Sequence, residues 1–206
     1  MRLIRTLLLG LSVSLASLAW AETTPTDVVR STADEVIEQL RISKPLSDEQ
    51  AYALVEKMIL PHLDFATFAR FTLGKHWRQA SPEQRTAFTE GFRDLLMRTY
   101  ATSLNAYSGE RIEHTGQRDE GEGRVLVQTQ IIRPQGPPVL VDFRLQRNGD
   151  TWMVYDVVIE GVSLIINYRS NFGEEISRNG LDALIQHMAD HKAKAICIGG
   201  AEKGCQ

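Results

Sequence analysis

The stretch Val154–Phe172, VYDVVIEGVSLIINYRSNF, decides how the chain is read. From Trp152 to Ile159, β-branched and aromatic residues dominate, which is the composition of a strand. Glu160-Gly161 interrupts the run. Beyond it, apolar residues fall at Leu164, Ile165, Tyr168, Phe172 and Ile176, the spacing of one helix face. Strict alternation puts Trp152, Val154 and Val158 on one side of the strand. Met153, Tyr155, Val157 and Ile159 fall on the other. A strand apolar on both faces is normally central and covered on both sides.

Working outward, Asn148-Gly149 before this strand is a tight hairpin signal. The preceding segment, Val139–Arg147, alternates with Val139, Val141, Phe143 and Leu145 inward and Asp142, Arg144 and Gln146 outward. Arg124–Arg133 carries Val125, Val127, Thr129 and Ile131 on one face, and Arg111–Gln117 reads as a weak first strand. Short turns join these segments, so they form an antiparallel meander. Upstream the period is helical. Thr26 opens a helix with the stripe Val29, Ala33, Val36, Ile37 and Leu40. Ser47 with Gln50, and Ser81-Pro82 with Gln84, are capping-box starts for two more. Asp64 caps a short helix that Gly74 ends. The helix from Ser81 is expected to reach Ser108, roughly 27 residues or ~40 Å. After the helix Val162–Arg178, Asn179-Gly180 breaks the chain before a last helix with Leu181, Leu184, Ile185 and Met188. The expected fold class is α+β: a curved antiparallel meander of about four strands covered by N- and C-terminal helices.

At 43% hydrophobic and 24% charged residues, 206 in all, the composition fits one globular domain. Residues 1–21 read as a cleaved secretory signal peptide. Arg2 and Arg5 precede the apolar run Leu7–Leu18, and Ala19-Trp20-Ala21 is a small-x-small cleavage site. The domain is then 22–195 and the C-terminal tail 196–206. Without Arg2 and Arg5 the formal charge goes from -3 to 21 basic against 26 acidic side chains, or -5. That balance excludes nucleic acid as the main partner. Cys197 and Cys205 both lie in the tail, where an exported protein can close a small disulfide loop.

No catalytic set emerges. Asp156, in the apolar strand, is the one candidate general base, and no second acid, base or oxyanion group is spaced to assist it. His187 and His191 share a helix face but lack the glutamate of a metalloprotease motif, so no metal is expected. What remains is apolar surface in quantity, which serves as core or as a ligand cavity.

Three segments carry a family resemblance: DFATFARFTLGKHW at Asp64–Trp77, the YSG of Tyr107–Gly109, and the opening stretch Val154–Phe172. Together they resemble the MlaC family, also called toluene-tolerance proteins, over about residues 25–195. The resemblance implies a soluble periplasmic phospholipid carrier with no resident cofactor and no catalysis. Its sheet would be similar to those of nuclear-transport-factor-like folds. Its cargo would be a diacyl phospholipid. Its partners would be the substrate-binding subunit of an inner-membrane ABC transporter and an outer-membrane lipoprotein–porin complex, and its role would be outer-membrane lipid asymmetry and solvent tolerance. The implied cavity wall is Leu96, Tyr100, Val127, Val141, Phe143, Val154, Val158, Leu164, Ile165 and Tyr168, with Val162, Ser163 and Arg169 near the head group. The competing readings are a cavity-bearing isomerase or dehydratase with Asp156 as base, and an interaction module with a solid core.

Overall fold

The computed structural model describes residues 23–43 and 45–190. The segment 1–21 read as a signal peptide, the segment 196–206 read as a tail, both cysteines and His191 lie outside them. The described chain runs α1 (Pro25–Ser43), α2 (Asp48–Met58), α3 (Phe65–Leu73), α4 (Pro82–Tyr100), β1 (Arg111–Gly121), β2 (Arg124–Ile132), β3 (Val139–Asn148), β4 (Thr151–Ile159), β5 (Val162–Ser163), α5 (Leu164–Asn179) and α6 (Leu181–Ala189). The 3₁₀ turns Leu60–His62 and Gly74–Arg78 link α2 to α3 and α3 to α4, and a third, Ala101–Ala106, leads from α4 toward β1. The strands form one antiparallel sheet in sequence order, β1-β2-β3-β4-β5.

Local chemistry sets most boundaries. Both capping boxes form: Ser47 with Gln50 starts α2, and Ser81 with Gln84 starts α4. The Asp64 carboxylate accepts from Thr67 N–H to start α3, and Gly74 closes it at φ +54°. At α1 the cap is Thr24 rather than Thr26. Asp27 N–H donates to Thr24 Oγ1, and Thr24 N–H donates back to Asp27 Oδ2. Thr26 instead donates its hydroxyl to Gln117 on β1 at 2.8 Å, tying helix to sheet.

Three expectations shift. The helix from Ser81 stops being α-helical at Tyr100 and continues as the 3₁₀ turn Ala101–Ala106. Val162 and Ser163 pair with β4 as a fifth strand, so α5 starts at Leu164. The third is a bulge in β4. Arg144 pairs with Asp156 while Leu145 pairs with Val154, which leaves Tyr155 as the extra residue. The bulge reverses the alternation. Leu145, Phe143 and Val141 face the same way as Val154, Val157 and Ile159, whereas Val158 shares the side of Asp142 and Arg144. Val154 and Val158 therefore do not share a face.

Two hydrophobic clusters result. One joins Val28 and Val29 of α1 to Val125, Val127, Leu145 and Val154. The other, larger, is built by α3 to α6 around Phe68, Phe88, Phe92, Tyr168 and Phe172. Val157 packs against both. The opposite side of the strands carries polar anchors for two helices. Gln146 donates to Asp64 Oδ2 at the start of α3 (2.8 Å), and Asp156 accepts from Ile165 N–H at the start of α5 (3.1 Å).

Candidate functional site: an apolar cavity beneath α1

Beneath α1 lies a cavity of about 400 Å³. The stripe read from the sequence, Val29, Ala33, Val36, Ile37 and Leu40, forms its roof together with Val28. The segment between α2 and α3 contributes Ile59, His62 and Leu63. Leu63 is held against the sheet by Asp64 N–H donating to Val154 O at 2.8 Å. Ile112, Ile131, Phe143 and Val154 are the floor. Leu104, Ala106 and Tyr107, in and just after the 3₁₀ turn that follows α4, close one side.

The hollow has a compositional cause. α1 has no aromatic residue; its inward side chains are short and aliphatic, with an alanine at the centre. They cannot fill the gap to the sheet. The lining is almost wholly apolar, so water inside would find few partners. The polar exceptions are Thr32, His62, Ser103, Tyr107 and Glu110. Ser103 and Ala106 are the exposed members of the wall, which puts the mouth at the 3₁₀ turn.

The residues expected at a lipid site divide. Phe143 and Val154 line the cavity. Val127 is fully buried behind the floor, in the same cluster. Leu96, Leu164, Ile165 and Tyr168 sit in the solid cluster of α3 to α6, with Tyr100 packed against it. Burial beside Tyr168 pushes the Tyr100 phenol far above its ordinary range. Val141 is buried opposite Ile159. Val158 is turned to the other side by the Tyr155 bulge. Of the head-group candidates, Val162 is exposed on β5, and Ser163 caps α5 by accepting from Ile166 N–H. Arg169 donates through Nε to the Phe71 carbonyl at 2.7 Å, and through Nη2 as well. It borders a separate open groove with Lys75, His76 and Arg178. Reasoning from the strand–turn–helix missed Val28, Ile59, Leu63, Leu104 and Ile112. The α1 stripe was visible, but nothing in its spacing separates a cavity roof from ordinary core.

Asp156 is buried and fully engaged. Its Oδ2 accepts from Ser163 Oγ (2.6 Å) and Arg144 Nη1 (2.9 Å), and its Oδ1 from Ile165 N–H (3.1 Å). Arg144 also donates through Nε to Glu120 at 3.0 Å. The group is outside the cavity wall and ties five elements together: the end of β1, β3, β4, β5 and the start of α5. A carboxylate saturated in this way is a structural anchor. His187 Nδ1 lies 2.5 Å from Glu175 Oε1. Among the described residues no group of three His, Cys, Asp or Glu is placed to hold a metal ion, and no helix is long and apolar enough to cross a membrane.

Comparison with known proteins agrees with this architecture. A structure of a phospholipid-binding protein from Ralstonia solanacearum, in complex with a phospholipid, superposes with a TM-score of 0.74 at 29% identity, covering 80% of this chain and 94% of that one. The toluene tolerance protein ttg2D of Pseudomonas putida is 30% identical over 195 residues, 90% of this chain and 91% of the relative. The intermembrane phospholipid transport system binding protein MlaC of Haemophilus influenzae is 26% identical over 185 residues, 86% of each. The family described as MlaC protein matches residues 30–190. The chain belongs to the MlaC family.

Proposed function

We propose that this protein is a periplasmic phospholipid carrier, seating acyl chain in the cavity beneath α1. The observation that carries the reading is that cavity: about 400 Å³, apolar on nearly every side, and open beside a turn. It lies in a fold shared with a phospholipid-bound structure. At about 30 Å³ per water- or methylene-sized group, 400 Å³ accepts about 13 such groups, close to one acyl chain. Burying them is worth ~0.8 kcal/mol each, or about 10 kcal/mol against water. A bilayer offers the same burial, so exchange between membrane and carrier is near neutral. Direction then comes from partners that favour one state over the other.

The partners that fit are an ABC transporter's substrate-binding subunit at the inner membrane and a lipoprotein–porin complex at the outer membrane. In this reading the protein binds and does not catalyse. The engaged state of Asp156, away from the cavity, supports it over an isomerase or dehydratase using that residue as base. Native mass spectrometry of the purified protein, with extraction of what it carries, is the test. Co-purified phospholipid is expected. Protein that stays lipid-free after incubation with phospholipid vesicles would overturn the proposal.

A further inference from the structure

A second hollow lies apart from the cavity, and no residue belongs to both walls. It is an open groove of about 680 Å³ between the turn Gly74–Arg78 and the outer face of α5. Lys75, Arg169 and Arg178 line it against one carboxylate, Glu174, which Arg178 already meets at 3.1 Å. Arg169 is pinned. Its Nε donates to the Phe71 carbonyl at 2.7 Å, its Nη2 donates there as well, and a Cβ on Gly74 would meet Nε at 3.3 Å. Those bonds close the end of α3 and leave Nη1 open. Among the described residues neither Arg169 nor Lys75 has a carboxylate partner. The positive charge continues beside the groove. Arg70 stands over the Phe71 ring at 4.9 Å and Arg124 at 5.5 Å, and of these two Arg124 alone meets a carboxylate, Glu122 at 3.3 Å. This concentration of cations occurs in a chain of formal charge -3.

We propose that this groove is the docking site for an acidic segment of a partner protein, laid along α5. The small residues Ser170, Gly173 and Ser177 leave room on that face, and a Cβ on Gly173 would touch nothing within 4 Å. Arg169 and Arg178 are nine residues apart, about 13 Å along the helix axis, so cations stand at both ends. A pinned guanidinium with an open Nη1 edge suits a carboxylate held at a fixed angle. A bilayer fits less well. Interfacial binding draws on apolar area as well as charge, and the exposed large apolar side chains, Ile42, Leu140, Val162 and Ile166, all lie outside the groove wall. Because the two walls are separate, the proposal goes beyond the lipid-carrier reading and does not depend on it.

The full chain is titrated into a labelled hexaglutamate peptide, and binding is read by fluorescence anisotropy. Saturable binding that weakens with added salt is expected. Lys75→Gln and Arg178→Gln, both on exposed surface, each weaken it about two- to fivefold. Arg111→Gln, at an arginine on β1 that is also exposed and paired with a carboxylate, leaves it unchanged. The double variant Lys75→Glu, Arg178→Glu binds hexalysine in place of hexaglutamate, a gain that an unfolded protein would not show. Three results overturn the proposal: no binding of hexaglutamate, binding that the groove variants leave unchanged, or an equal loss in Arg111→Gln. Binding to phosphatidylglycerol vesicles, lost in the groove variants while hexaglutamate is ignored, also overturns it and makes this face a membrane contact.

Discussion

The cluster built by α3 to α6 and the space beneath α1 draw on the same class of residue, yet one is solid and the other hollow. In the helix cluster five rings interlock. Phe92 meets Phe68, Tyr168 and Phe172 edge to face at 5.4, 5.1 and 5.7 Å between centroids, and Phe88 meets Phe172 at 5.8 Å. Large flat groups from three helices, α3, α4 and α5, fill space and favour these geometries. Beneath α1, valine, isoleucine, leucine and alanine face a floor in which Phe143 is the one aromatic residue. The lesson is that side-chain reach, not hydrophobicity, separates core from cavity.

Several measurements break or sharpen that contrast. The largest effect is expected for Phe92→Ala, which removes the ring at the centre of the solid cluster. It should cost about 3–5 kcal/mol in urea unfolding and leave lipid bound per folded molecule unchanged. An occupancy loss in that variant would mean the cluster also holds cargo. Asp156→Ala should cost about 3 kcal/mol, because Arg144 loses its buried partner and the start of α5 loses its acceptor. Lipid occupancy of the folded fraction should hold. Ala33→Trp fills the hollow from its roof. It should cut lipid occupancy about tenfold, or 1.4 kcal/mol, while thermal stability stays level or rises. Undiminished occupancy would place the cargo elsewhere. Ser163→Ala is the mildest. Loss of the α5 cap should cost about 1 kcal/mol, read as a small drop in the unfolding midpoint with the same lipid content.

A pH titration separates the two regions as well. Glu110, at the mouth, has its folded-state pKa depressed below the ordinary 4.5. Its stabilising contribution is therefore present above the unfolded value and lost as pH falls through the folded one. In urea unfolding the stability this side chain adds should hold down to about pH 5 and fade only in more acidic solution.

The sequence by itself determined whatever depends on near neighbours. The caps at Ser47, Asp64 and Ser81 formed as read, because each joins groups three residues apart. The Asn148-Gly149 turn, the break at Gly180 and the meander order follow from the same short-range chemistry. So does the apolar stripe of α1. The family was legible as well, because its motif is contiguous. Tertiary structure decided the rest. The Tyr155 bulge arises from the pairing of β4 with β3, and it alone moved Val158 off the face of Val154. Leu164, Ile165 and Tyr168 became core because α3 and α4 bring rings against them and α6 adds Leu184 and Met188, while α1 brings nothing that long to Phe143 and Val154. Alternation and helical period say which side of an element is apolar. Whether that side meets a neighbour or a void depends on residues distant in the chain, and no local pattern records it.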